Sequence, residues 1–285
     1  MEITRIGQFS LGWGEGLAWD DQRQRLYFVD CAAESLHWLE EFEGDPETYV
    51  LDSMVTSVLP TTDGRLVGTL EDGLYVIDPD ARTAELLTRY PAEMRGRAND
   101  SCADQAGNLI TGKLNLGPAE GSAWWYSDTA GWRLIDSDIA NTNGPNAGVI
   151  GGGPTLIIGD TSANYYAYPY EAATSAVGKR RVFGDVSDLD GMPDGAKLDS
   201  EGGLWCALVG GSQLARFSND GLDRTVPLPL VNPTDVVFGG PSLDRLFVVS
   251  VGLGTEGHRL DGALLVIDGL GAVGRPEPRF KIRGN

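Results

Sequence analysis

The sequence predicts an all-β chain, a six-bladed β-propeller of four-stranded antiparallel blades, with residues 1–285 forming one domain. Three observations lead to this. Glycine supplies 39 of 285 residues, about 14% and roughly twice the usual share, so the chain must turn often. A turn followed by a short apolar strand recurs six times. Helical periodicity is nearly absent, and only residues 170–178 have room for a turn or two of helix.

In chain order the repeating unit first reads Asp20-Asp21-Gln22 before Leu26-Tyr27-Phe28-Val29-Asp30, then Thr62-Asp63-Gly64 before Leu66-Val67-Gly68, then Ala106-Gly107-Asn108 before Leu109-Ile110-Thr111. It continues as Gly152-Gly153-Pro154 before Leu156-Ile157-Ile158, Glu201-Gly202-Gly203 before Leu204-Trp205-Cys206, and Pro241-Ser242-Leu243 before Leu246-Phe247-Val248-Val249. The marker leucines are separated by 40, 43, 47, 48 and 42 residues. A second apolar run follows most of them, at 73–78, 165–168, 213–217 and 263–268, so each unit reads as a small antiparallel sheet. Units of roughly 47 residues that cannot bury both faces alone suit propeller blades. An open sandwich would explain the strands but not the period.

Charge narrows the function. Lys+Arg number 22 against Asp+Glu 41, a formal net charge of −19. A chain of this sign repels phosphate backbones and anionic membranes, so nucleic acid and membrane are not expected partners. The apolar fraction of 41% is sufficient for a core. The glycine-rich apolar stretch 147–158 is too short to cross a bilayer. The chain opens Met-Glu-Ile-Thr, without a basic or apolar leader, so a cytoplasmic protein is expected, as a monomer or weak homo-oligomer. Three cysteines, Cys31, Cys102 and Cys206, are far apart and odd in number, which points to buried thiols and not to disulfides or a CxxC metal site.

In a propeller, equal phase in successive blades means proximity at the central channel. Glu15 lies 11 residues before Leu26, Asn99 lies 10 before Leu109, Asn143 lies 13 before Leu156 and Asp194 lies 10 before Leu204. Each stands in a short, turn-like segment that should lead into an innermost strand. Asp-Gly and Asn-Gly pairs form turns wherever they occur, but four in phase across four blades argue for a site. Two carboxylates with amide oxygens around one point need a cation, and an all-oxygen set suits Ca²⁺, Mg²⁺ or Mn²⁺ better than a structural zinc. His37 and His258 lie far from this phase and are read as surface or packing residues. Most of the tryptophans at 13, 19, 124, 125 and 132 are expected to pack between blades.

At these residues the sequence resembles the SMP-30/gluconolactonase/regucalcin-like family of six-bladed propellers, over nearly its whole length. The motifs are Gly14-Glu15-Gly16 with Ala18-Trp19, Arg97-Ala98-Asn99-Asp100, Asn143-Gly144-Pro145, and Pro193-Asp194-Gly195 with Asp199, Gly202 and Leu204-Trp205. Pro233-Thr234 with Phe238-Gly239-Gly240, and Gly274 with Pro276-Glu277-Pro278-Arg279-Phe280, complete the series. The resemblance implies one divalent cation, Ca²⁺ first with Mg²⁺, Mn²⁺ or Zn²⁺ as alternatives, held by Glu15, Asn143 and Asp194. It further implies Asp194 as acid/base, and Arg97, Asn99 and Glu120 as contacts of a small-molecule substrate. The reaction it implies is hydrolysis of a sugar lactone. The cation would polarise the lactone carbonyl and acidify a nearby water, which leaves the protein to position the substrate and supply one base. Neither histidine is in phase and no G-x-S-x-G is present, so a serine-nucleophile mechanism lacks its parts.

Three departures from the family pattern leave other readings open. Lys113 stands in Thr111-Gly112-Lys113-Leu114, Lys197 follows Pro193-Asp194-Gly195, and Gly151-Gly152-Gly153-Pro154 replaces an expected turn after Asn143. Both lysines are expected to point to solvent; the sharper reading places them at the pocket for an anionic or unusual substrate. The alternatives are another metal-assisted hydrolase or lyase acting on a non-sugar lactone, ether or phosphoester, and a calcium-binding propeller without turnover.

Overall fold

Six antiparallel sheets stand around a central axis, as the sixfold repeat requires. The computed structural model describes residues 1–94, 97–114, 121–254 and 260–283. Blade 1 comprises Gly14–Asp20, Arg25–Asp30, Ser35–Leu39 and Glu47–Val50, and blade 2 comprises Val55–Pro60, Leu66–Leu70, Gly73–Asp78 and Thr83–Arg89. Blade 3 comprises Arg97–Ala103, Leu109–Leu114, Ala123–Ser127 and Gly131–Asp136, and blade 5 comprises Met192–Leu198, Leu204–Val209, Gln213–Ser218 and Gly221–Pro227. All six marker leucines lie on the second strand of their blade and are almost fully buried.

Blade 4 departs from the four-strand expectation. Its strands Thr142–Ile150, Gly153–Asp160 and Tyr165–Glu171 are followed by two short ones, Ala176–Val177 and Arg181–Gly184, both paired to the third. The turn of helix allowed for residues 170–178 is not formed. Tyr170 instead extends the third strand, buries its ring and donates its hydroxyl to Asp104 at 2.6 Å, and the chain then reverses in a turn closed by Thr174 N–H to Glu171 C=O. Pairing and burial outweigh a weak local preference.

Blade 6 is built from both ends of the chain. Pro233–Gly239, Arg245–Ser250 and Leu264–Asp268 supply three strands, and Glu2–Ile6 adds the outermost one, in register from Glu2 opposite Asp268 to Ile6 opposite Leu264. This strand closes the ring.

Burial falls from the axis outward. The innermost strands Gly14–Asp20, Val55–Pro60 and Pro233–Gly239 are buried at every position, whereas the outermost strands Glu47–Val50, Thr83–Arg89 and Gly221–Pro227 are mostly exposed. Apolar clusters fill the wedges between blades. One joins Trp205, Leu214 and Val226 of blade 5 to Val236, Leu246 and Leu265 of blade 6. The three cysteines are buried and free. His37 packs flat on Phe28 and bonds the hydroxyls of Ser35 and Thr48, the packing role expected of it; His258 lies outside the described residues. Among the described residues no helix is long and apolar enough to cross a membrane.

The segment after blade 6 runs back beneath the ring. Gly274 bridges Asp199 of blade 5, Glu277 meets Lys197, Phe280 is fully buried and bridges Thr61 of blade 2, and Lys281 N–H bonds Gly107 C=O of blade 3. It therefore crosses the axis on one face of the propeller.

Candidate metal centre

All six innermost strands share one irregularity. The ladder to the second strand shifts between Glu15 and Ala18, Val55 and Ser57, Ala98 and Ser101, Asn143 and Asn146, Pro193 and Ala196, and Pro233 and Asp235. A bulge leaves a residue unpaired and re-aims the side chains beside it. The in-phase polar residues thus lie within the innermost strands, at their bulges, and not in turns leading into them. Two glycines make this geometry possible. Gly144 adopts a φ of +46°, and a Cβ on it would stand 2.5 Å from the Ala196 nitrogen; a Cβ on Gly195 would stand 2.2 Å from Asp235 Oδ1.

The bulges bring Glu15, Asp100 and Asp194 together, each presenting one carboxylate oxygen, all within 4.8 Å of one another. All three are buried, at 5%, 5% and 8% exposure. Glu15 Oε1 accepts the Trp13 indole N–H at 3.4 Å, while Glu15 Oε2 has no partner. Asp194 is held through its backbone, because the Tyr165 hydroxyl accepts its N–H at 3.0 Å and donates to its C=O at 2.6 Å. Asp100 accepts the Gly144 N–H at 2.8 Å. A fourth buried carboxylate, Asp235, accepts the N–H groups of Leu17 and Val236, each at 2.7 Å.

Asn143 and Asn99 form an amide pair beside this group. Asn99 Nδ2 donates to Asn143 Oδ1 and to Thr142 C=O, and Asn143 Nδ2 donates to the Thr161 hydroxyl and, at 3.5 Å, to the C=O of Pro193, the residue before Asp194. The Asn143 oxygen keeps a second lone pair. Arg97 is half-buried with its guanidinium 4.7 Å from the centre of the Trp13 ring, and it donates to the Met54 sulfur. No carboxylate pairs with it among the described residues. Glu120 lies outside the described residues.

One expectation needs correction. Lys197 does not point to solvent; it is 6% exposed and its ammonium lies 3.1 Å from Glu277 of the tail. The channel face of an innermost strand is its polar face, so a long cation is accommodated there when carboxylates face it. Lys113 is half-buried on the second strand of blade 3, its backbone opposite Ala98. The sequence reading also missed Asp100 and Asp235. Asp235 lies 11 residues before Leu246, the same offset as Glu15 before Leu26, so the signal was present.

Burial of four carboxylates about one axis raises their affinity for protons. Glu15 and Asp194 are pushed well above the ordinary carboxylate range by burial, and then by the charges of their neighbours, Asp100 and Asp235 among them. Asp235 is raised by burial and by Asp100, with Lys197 working the other way. For Asp100 burial also dominates, opposed by the Gly144 N–H and by Lys197. Such an arrangement is unfavourable with every carboxylate charged and no counter-ion. An orphaned buried oxygen and a donor set of oxygens alone fit a hard divalent cation.

Six blades around a carboxylate-lined axis, with amide, arginine and tryptophan side chains at the same end, define the class as a propeller with an axial polar site. The chain belongs to the SMP-30/Gluconolactonase/LRE-like region family, which matches residues 13–252. It is 32% identical to the pentonolactonase XacC of Haloferax volcanii over 99% of each chain, and 28% identical to a 6-deoxy-6-sulfogluconolactonase of Pseudomonas putida over 83% of this chain and 82% of the other. The solved structure of a luciferin-regenerating enzyme superposes with a TM-score of 0.90 over 99% of each chain at 27% identity.

Proposed function

We propose that this chain is a divalent-cation-dependent lactonase that opens a sugar lactone, with Ca²⁺ as the first candidate ion. The observation that carries the proposal is the buried Glu15 carboxylate, which gathers with those of Asp100 and Asp194 and keeps one oxygen, Oε2, without a partner. The names of two relatives, a pentonolactonase and a sulfogluconolactonase, support a lactone as the substrate class.

Glu15, Asp194 and the Asn143 amide oxygen would hold the ion, with Asp100 beside them. When bound, the ion supplies Lewis acidity at the lactone carbonyl and lowers the pKa of water near it. The protein supplies the rest. Asp194 takes the proton of the attacking water as the new C–O bond forms, and returns it to the ring oxygen as the ester bond breaks, so that lactone and water give the hydroxy acid. The Tyr165 clamp fixes where that carboxylate sits. Arg97 offers a planar fork of donors to hydroxyl or carbonyl oxygens, and Trp13 beneath it offers an apolar face to a sugar ring. Asn99 holds the Asn143 amide in one orientation.

The test is a pH-indicator assay of hydrolysis on pentonolactones, gluconolactone and non-sugar lactones, with chelator-stripped protein reloaded with Ca²⁺, Mg²⁺, Mn²⁺ or Zn²⁺, beside Asp194→Ala. Turnover restored by an ion and lost in the variant supports the proposal. Ion binding without hydrolysis of any lactone rejects the lactonase and leaves a cation-binding propeller.

A further inference from the structure

The part of the channel below the candidate centre contains a lysine where carboxylates dominate. Lys197 lies on the innermost strand of blade 5, three residues after Asp194, and is buried. Its side chain lines a small cavity together with Asp100, Asp235, Ser57, Ser101 and Leu17, with room for about one water. Its ammonium donates to Glu277 at 3.1 Å, and Glu277 belongs to the segment that crosses the opposite face of the ring. Burial alone would drive the ammonium toward its neutral form, but Glu277 and Asp235 more than offset that, and it is held above the ordinary lysine value.

The charges on the axis explain why this lysine matters. Glu15, Asp100, Asp194 and Asp235 can carry four negative charges in a largely buried region. One divalent ion at the upper end neutralises half of them. The remaining deficit falls on Asp235 and on the side of Asp100 that faces away from the ion, and these two carboxylates line one cavity with Lys197. We propose that the Lys197 ammonium, tethered by Glu277, serves as the second cation of the channel, so that the protein binds a single divalent ion where the carboxylates alone would hold two. The inference rests on the cation reading of the site above. It gives the tail a role beyond packing, because Glu277 keeps the ammonium low in the channel and away from the ion's carboxylates.

The experiment is equilibrium dialysis of the full chain against Ca²⁺, with bound ion counted by elemental mass spectrometry, and circular dichroism to establish folding. The wild-type chain is expected to hold one ion, and Lys197→Ser, which removes the charge and enlarges the cavity shared with Asp100 and Asp235, is expected to hold two. A folded Lys197→Ser chain with one ion, or a wild-type chain with two, overturns the inference while leaving the lactonase reading intact. A wild-type chain that holds none removes the cation reading itself. Should Lys197→Ser not fold, Glu277→Gln decides the matter. Freed from its lower partner, the ammonium turns to Asp100 and Asp235 and weakens Ca²⁺ binding by about fivefold; unchanged affinity overturns the inference.

Discussion

The hydroxyl of Tyr165 stands between the two backbone polar groups of Asp194, accepting its N–H at 3.0 Å and donating to its C=O at 2.6 Å. Tyr165 is on blade 4 and Asp194 on blade 5, so one phenol fixes a bulge in the neighbouring blade. Tyr165→Phe keeps the ring and removes the clamp. Two buried backbone groups are then unpaired, and the loss of stability in chemical denaturation should be about 1–3 kcal/mol. If Asp194 is the base, kcat should also fall, since small misplacements of a reacting group are costly. A variant that loses stability but keeps kcat would show that the clamp serves the fold alone.

Removing the cation should make stability depend on pH in an unusual direction. Glu15, Asp194 and Asp235 are raised in the folded chain, and Asp100 is pushed up to about 6. Between the ordinary carboxylate range and these raised values the folded state binds more protons than the unfolded one, so stability falls as pH rises. Asp63, held down to about 2 by its hydrogen bond with Arg65, has delivered its contribution below this window and does not mask it. The melting temperature of chelator-treated protein should therefore fall from pH 5 to pH 8, with a flatter profile once Ca²⁺ is added. A metal-free profile that rises with pH would contradict the charge reading of the axis.

Trp13 reports on the centre directly, because its indole N–H bonds the carboxylate whose other oxygen has no partner. Titration with Ca²⁺ should change tryptophan emission, and the change should disappear in Trp13→Phe. Persistence of the full change in that variant would place the responding indole elsewhere.

Arg97→Lys separates substrate contact from ion binding. The lysine keeps the charge but loses the planar fork and much of its stacking on Trp13. We expect kcat/KM on the best lactone to fall about 10–100-fold, the scale of one to two buried hydrogen bonds, with Ca²⁺ affinity unchanged. A parallel loss of ion affinity would instead make Arg97 part of the cation site.

Gly195→Ala tests the close approach of blades 5 and 6. Its methyl would meet Asp235 Oδ1 at 2.2 Å, and Asp235 is fixed by two backbone donors. Overpacking of this kind costs about 1–3 kcal/mol, to be read from denaturant midpoints. No change would mean that blade 6 yields more easily than its hydrogen bonds imply.

The six blades were legible because each must spend an apolar second strand on its neighbours, and this repeats Leu26, Leu66, Leu109, Leu156, Leu204 and Leu246 at similar intervals. Glu15, Asn99, Asn143 and Asp194 were legible for the same reason, since phase implies convergence. Asp100 is hidden behind Asn99, because the bulge of blade 3 turns two consecutive residues toward the axis, whereas Asp235 stands at the phase of Glu15 without a glycine-flanked turn to mark it. Lys197 reads as a surface residue because a cation beside Asp194 and Asp199 in the sequence suggests a solvated segment, until Glu277, eighty positions later in the chain, is seen beside it. The outermost strand of blade 6 gave no sign of its partner, because Glu2–Ile6 and Leu264–Asp268 are brought together only by closure of the ring.

That closure orders events during synthesis. Glu2–Ile6 is made before its partner Leu264–Asp268, so this strand must wait unpaired until all five intervening blades and most of the sixth have been made. Glu15 and Asp235 share this delay, because Leu17 N–H reaches Asp235 across 218 residues and joins blade 1 to blade 6. A nascent chain stalled before blade 6 would carry Glu15, Asp100 and Asp194 without the ring that gathers them. The cell therefore receives the assembled centre only from a chain that has been translated through blade 6.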